Sequence, residues 1–142
     1  MTNQHNKVRV AIIGVGNCAS AFVQGVEYYK NASDDVEVPG LMHVNLGGYH
    51  INDIEFSAAF DVVQGKVGLD LSKAIWASPN NSTKFTDVEN MGVTVHRGMT
   101  HDGIGKYLSG MVDKAPGPTD NIVQILKDTA TDVVVSYLPV GS

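Results

Sequence analysis

Apolar positions along the chain change rhythm several times, and each change marks an element. Val8 to Ile13 is an apolar run broken only by Arg9, the pattern of a strand covered on both faces. From about Asn17 to Lys30 the period lengthens, with Cys18, Phe22, Val26 and Tyr29 recurring near 3.6, which predicts a helix. Residues 31–53 break the rhythm at Asp34-Asp35, Pro39-Gly40 and Gly47-Gly48, with a short strand expected over Leu41–Leu46. Ile54–Phe60 reads as a second long strand closed by Asp61, followed by a helix from about Lys66 to Trp76 with Val67, Leu71, Ala74 and Ile75 on one face. Residues 77–92 are irregular, with Pro79 and paired asparagines, before a short third strand at Val93–His96. A helical pattern then carries Ile104, Tyr107, Leu108 and Met111. After the break at Ala115-Pro116-Gly117-Pro118, Thr119 or Asp120 is expected to cap a helix carrying Ile122, Ile125 and Leu126. Asp132–Leu138 is the fourth strand.

Strands alternating with helices predict an α/β protein: a parallel sheet with helices on both faces. Right-handed crossovers order the strands 3-2-1-4. Residues 1–142 then read as one partial domain, about two-thirds of a Rossmann-like sheet, incomplete at its C-terminal end. Composition narrows the classes. With 43% hydrophobic and 18% charged residues the chain is globular. A net charge of −5 argues against a nucleic-acid or anionic-membrane partner. The single Cys18 cannot close an internal disulfide and suits a reducing compartment. No apolar stretch is long enough to span a bilayer, and the first residues, MTNQHNK, lack an apolar signal core. The expected location is cytoplasmic.

Chemistry concentrates where the first strand meets its helix. Gly14-Val15-Gly16-Asn17-Cys18-Ala19 is a GxGxxA turn between strand and helix, the arrangement that binds a dinucleotide diphosphate. Gly14 permits the sharp turn, Gly16 lets phosphates approach the main chain, and Ala19 allows close packing of helix on strand. Unpaired N–H groups of the first helical turn then face the anion. Asp61, at the end of the second strand, is placed to accept hydrogen bonds from the adenosine ribose and to repel the extra phosphate of NADP. It follows Gly16 by far more than the usual ~20 residues, an excess that the 31–53 excursion explains. No arginine follows it in Val62-Val63-Gln64, which also disfavours NADP, although Lys66 is a nearby cation. Thr100, Asp102 and Gly103 follow the third strand, and Ser136, Leu138 and Pro139 end the fourth, all on the carboxyl edge where ligands bind in such sheets. The histidines are scattered without metal-ligand spacing, so no metal site is expected. No catalytic set such as Ser–His–Asp stands out. Cys18, at a helix N-terminus, is read as part of the helix interface or cofactor wall.

The segments VRVAIIGVGNCASAFVQGVEYY, VPGLMHV, AAFDV with KVGLDLS, RGMTHDGIGKY and DVVVSYLPVGS, in this order, closely resemble the bacterial and archaeal myo-inositol-1-phosphate synthases (inositol-3-phosphate synthases) over nearly the whole chain. The resemblance implies a tightly bound NAD and an internal redox isomerisation. Glucose 6-phosphate is oxidised, enolised, cyclised by an aldol step and reduced to inositol phosphate. It also implies that Gly14, Gly16, Asn17, Cys18 and Ala19 hold the diphosphate and Asp61 the ribose. Thr100, Asp102, Gly103, Ser136, Leu138 and Pro139 would line the cleft. Catalytic lysines and substrate-phosphate residues of that family lie beyond Ser142, so the segment alone is expected to be inactive, and the complete enzyme to be a homo-oligomer. His101 departs from the apolar residue usual there. Two other readings stay open at this point: a two-domain NAD(P)-dependent dehydrogenase, and a non-catalytic nucleotide-binding module.

Overall fold

The computed structural model describes residues 7–100 and 109–139. Strand β1 (Val8–Ile13), helix α1 (Asn17–Tyr29) and strand β4 (Ile54–Asp61) follow the sequence pattern closely. Between α1 and β4 the excursion folds a two-residue-per-strand hairpin, β2 (Asn45–Leu46) and β3 (Tyr49–His50), turned by Gly47 and Gly48 at positive φ. The strand expected over Leu41–Leu46 is therefore present only in its last two residues, because Pro39 and Gly40 hold the preceding backbone in a turn.

The central sheet is parallel, with order β5 (Val95–Arg97), β4, β1, β6 (Val133–Ser136), which is the expected 3-2-1-4. β1 pairs on both sides, Val10 with Phe56 and Val133, Ile13 with Phe60 and Ser136. Being central, it buries Val10, Ala11 and Ile12. Alternation then sends Val10 and Ile12 to one face and Ala11 to the other. A register shift opposite Val10/Ala11 leaves Ser57 as the extra residue of β4, its hydroxyl paired with that of Thr131 at 2.8 Å. Because the shift resets the alternation, Phe56 and Ala59 share the α1 face, whereas Ala58 and Phe60 face the other. On the first face lie Ala19 and Val23 of α1 with Leu71, Ala74 and Ile75. On the second, Ile122, Ile125 and Leu126 of α3 (Ile122–Asp128) pack on Ala11, Ala58 and Phe60. Helices on both faces bury a parallel sheet, as its composition requires.

Four details differ from the pattern. The face of α1 is rotated: Ala19 and Val23 are buried with Ser20 and Gln24, whereas Cys18 is exposed. The two polar residues are buried because they serve the irregular segment that follows Pro79. Gln24 donates to the Thr83 carbonyl (3.1 Å) and accepts from the Phe85 N–H (2.9 Å), and Ser82 donates to the Ser20 hydroxyl (2.8 Å). Residues 80–85 thus form a strap along α1. The helix expected from Lys66 to Trp76 shrinks to α2 (Leu71–Ala74). Gly68 sits at φ +89, and the chain around it pairs instead with residues 93–95, Gly68 N–H to the Val95 carbonyl (2.8 Å) and Leu71 N–H to the Val93 carbonyl (2.7 Å). Asp70 caps the short helix, its carboxylate accepting from the N–H groups of Ser72, Met91 and Val93.

Asn121, rather than Thr119 or Asp120, caps α3 by accepting from the Gln124 N–H (3.1 Å). Asp120 is held elsewhere, exchanging hydrogen bonds with the backbone of Arg97. The third strand is Val95–Arg97 and the fourth Val133–Ser136, each shifted or shortened at its ends. Most of the helix expected around Ile104, Tyr107 and Leu108 lies outside the described residues.

Candidate functional site

The carboxyl ends of β1 and β4 meet at the glycine turn. Gly14 is at φ +93, and its N–H donates to the Phe60 carbonyl at 2.9 Å. A side chain there would meet Leu138 Cδ2 at 3.2 Å and the Tyr137 carbonyl carbon at 3.3 Å, so the turn passes tightly under the end of β6. Gly16 is the N-cap of α1, with ordinary extended backbone at φ −94. An added Cβ there would find nothing within 4 Å. No side chain caps α1, and its first turn carries no acidic residue, so the terminal N–H groups are left for another acceptor. Ala19 is fully buried where α1 crosses the sheet, as close packing requires. Asn17 turns sideways to the strap: its carbonyl oxygen accepts from the N–H groups of Asn81 (2.9 Å) and Ser82 (3.1 Å), and its amide donates to Asn81 Oδ1 (2.8 Å).

Asp61 lies beside this turn. Its carboxylate accepts from the N–H groups of Val15 (2.7 Å), Val62 (2.7 Å) and Val63 (2.9 Å). A carboxylate offers about four acceptor positions, so room remains for about one further donor. Gly98, just past β5, donates its N–H to the Asp61 carbonyl at 2.9 Å, which sets the end of β5 against the same corner. Thr100 accepts from the Arg97 guanidinium (3.0 Å). Ser136 pairs with Ile13 at the end of β6, and Leu138 and Pro139 continue past it, exposed. Asp102 and Gly103 lie outside the described residues.

Residue type alone did not reveal the role of two further groups. Lys66 is only 2% exposed, and its ammonium donates to the Val15 carbonyl and to Asn80 Oδ1, each at 2.7 Å. Burial pulls its pKa below the ordinary lysine value, and the field of Asp61 partly restores it. With those contacts made, Lys66 is not the free cation that would accommodate an NADP phosphate. Asn80 also donates to the Val15 carbonyl (3.1 Å) and to the Ile75 carbonyl (3.0 Å). On the other side of the turn, burial raises the Tyr137 hydroxyl, with Cys18 adding to the shift. The only signals in the sequence are a lysine at the start of an expected helix and a doubled asparagine in an irregular stretch.

A parallel sheet in this order, with a glycine turn leading into an uncapped helix at its carboxyl edge, defines a Rossmann-type α/β protein. No family model matches the chain. It is 54% identical over 142 residues, its entire length, to the inositol-3-phosphate synthase of Mycolicibacterium smegmatis, and covers 39% of that protein. Identity to the inositol-3-phosphate synthase of Mycobacterium tuberculosis is 58% over 136 residues, 96% of this chain and 37% of the relative. The Corynebacterium glutamicum enzyme of the same name is 53% identical over 135 residues, 95% of this chain and 37% of the relative. Among solved structures, Ari2 superposes with a TM-score of 0.75 at 30% identity, over 94% of this chain and 38% of the other. A myo-inositol-1-phosphate synthase-related protein from Thermotoga maritima shares the fold, with a TM-score of 0.66 at 22% identity, over 94% of this chain and 35% of its own. The chain is thus similar over nearly its whole length to inositol-3-phosphate synthases, and it spans well under half the length of these curated relatives.

Proposed function

We propose that this chain is the NAD-binding portion of an inositol-3-phosphate synthase, a partial Rossmann-like domain of a cytoplasmic enzyme. In the whole protein, glucose 6-phosphate is isomerised to inositol phosphate by internal oxidation, aldol cyclisation and reduction. NAD, when bound, supplies the hydride acceptor and donor for the two redox steps. The observation that carries the reading is the open space at Gly16 beside an uncapped helix N-terminus, where a Cβ would stand between the main chain and an approaching anion. Gly14, Gly16, Asn17, Cys18 and Ala19 would hold the diphosphate, and Asp61 would use its remaining acceptor position for a ribose hydroxyl. Thr100, Asp102, Gly103, Ser136, Leu138 and Pro139 would line the cleft. No catalytic residue is assigned in this segment, so turnover and homo-oligomeric assembly belong to the proposal for the whole protein. Among the described residues no helix is long and apolar enough to cross a membrane.

Calorimetric titration of NAD and NADP into this chain tests the reading. NAD is expected to bind at least about 10-fold tighter, because Asp61 sets a negative charge where NADP carries its extra phosphate and Lys66 is already engaged. Equal affinities would remove the assignment of Asp61. Absence of binding by either nucleotide would overturn the proposal itself.

A further inference from the structure

Val15, between the two turn glycines, is completely buried. Opposite charges hold its two backbone groups. Its N–H donates to the Asp61 carboxylate, and its carbonyl accepts from the Lys66 ammonium, both at 2.7 Å. Asn80 adds a second donor to the carbonyl and receives the same ammonium. Three separate stretches therefore converge on one residue: the end of β4, the turn after it, and the strap.

The direction of that grip matters. In a trans peptide the C=O and the following N–H point to opposite sides. Drawing the Val15 carbonyl inward onto Lys66 aims the Gly16 N–H outward, on the residue whose absent Cβ leaves open space. A buried ammonium is an expensive way to fill a core, and an apolar side chain of similar length would pack there at lower cost. Its presence beneath the glycine turn calls for a reason other than stability.

We infer that Lys66 is a positioning residue of the nucleotide site, fixing the Val15–Gly16 peptide so that its N–H is presented to the diphosphate of the ligand. This rests on the nucleotide-binding reading above. Asn80 shares the role by holding both the ammonium and the carbonyl.

The test compares NAD with adenosine, which lacks the diphosphate, on wild type, Lys66→Met and Asn80→Ala, with thermal melts alongside. Lys66→Met is expected to melt at or above the wild-type temperature and to weaken NAD by about 10-fold or more, the loss of one charge-assisted hydrogen bond. Adenosine should be unaffected. Asn80→Ala should show the same split at about 2–5-fold, because one of two donors to the carbonyl remains, and it decides the matter if Lys66→Met does not fold. Equal weakening of NAD and adenosine would reduce Lys66 to a structural residue and overturn the inference. Unchanged NAD affinity in folded variants would do the same while leaving the nucleotide reading intact. A wild type that binds neither ligand would instead defeat the nucleotide reading.

Discussion

Replacing each turn glycine by alanine should separate folding from binding. Gly14 sits at φ +93, where an L-residue costs about 1–2 kcal/mol. Its new methyl would also press on Leu138 Cδ2 and on Tyr137 backbone at 3.2 and 3.3 Å. The backbone cannot yield as a flexible side chain does, so overpacking adds about 1–3 kcal/mol. Gly14→Ala is therefore expected to destabilise by about 2–5 kcal/mol. Gly16 differs on both counts, with ordinary extended backbone and no atom within 4 Å of the added carbon. Stiffening of the unfolded chain, worth about 0.4–1 kcal/mol, offsets the poorer capping of alanine, so stability should stay within about 0.5 kcal/mol of wild type. Nucleotide affinity should nevertheless fall about 10–100-fold, because the methyl occupies the space through which phosphate oxygens reach the Gly16 N–H. Urea denaturation and NAD titration of both variants provide the measurements. A Gly16→Ala protein that binds NAD like wild type would show that the space is not the ligand's. A Gly14→Ala protein as stable as wild type would refute the strain assigned to that turn.

Two further outcomes concern the scaffold. Asp70→Ala should destabilise by about 2–4 kcal/mol in urea melts, since it removes the cap of α2 and leaves the N–H groups of Met91 and Val93 without their acceptor. Burial alone would raise the Asp70 pKa, but hydrogen bonds from Ser72, Met91 and Val93 together outweigh it and hold the carboxyl below its ordinary value. Its contribution is thus complete above the unfolded carboxylate pKa of about 3.9 and is lost as pH falls through the lower folded value, so Asp70→Asn should lessen the acid sensitivity of wild type. Ala130 ends α3 at φ 47, with its N–H on the Lys127 carbonyl and that of Thr131 on Leu126, the paired bonds of a Schellman motif. Glycine carries no Cβ penalty there, so Ala130→Gly should stabilise by about 0.5–1 kcal/mol, and a melting temperature that falls would contradict the strain.

The sheet was legible because its strands are long, apolar and covered on both faces. β1 and β4 could be read almost to the residue, and right-handed crossovers left one sensible order. α2 is shorter than its spacing predicts because Val67, Leu71, Ala74 and Ile75 keep helical spacing while Gly68, at positive φ, diverts the backbone into pairing with residues 93–95. Tertiary hydrogen bonds won over local period. α1 is rotated from the face its apolar spacing predicts, since its buried side carries Ser20 and Gln24, polar residues that add nothing to an apolar stripe. Their burial depends on the strap, whose irregular backbone needed partners from a neighbouring helix.

The candidate site divides in the same way. Glycine spacing marks where a diphosphate can approach, but a turn flanked by two glycines is also costly to order. A motif of glycines therefore permits a geometry without imposing it. Here the imposition comes from Asp61, Lys66 and Asn80, which reach Val15 across 46, 51 and 65 residues of chain. No local pattern encodes contacts at such separations, and a lysine in a turn ordinarily signals solvent. Asp61 stands at a strand end, where a ribose would meet it. The same carboxylate spends three hydrogen bonds on the protein's own backbone, so the residue that selects the nucleotide would also build the turn that receives it. That double duty makes Asp61→Ala a poor probe of cofactor choice, since the variant would lose the clamp together with the charge. Asp61→Asn retains an acceptor for the turn while removing the charge, and so separates the two roles.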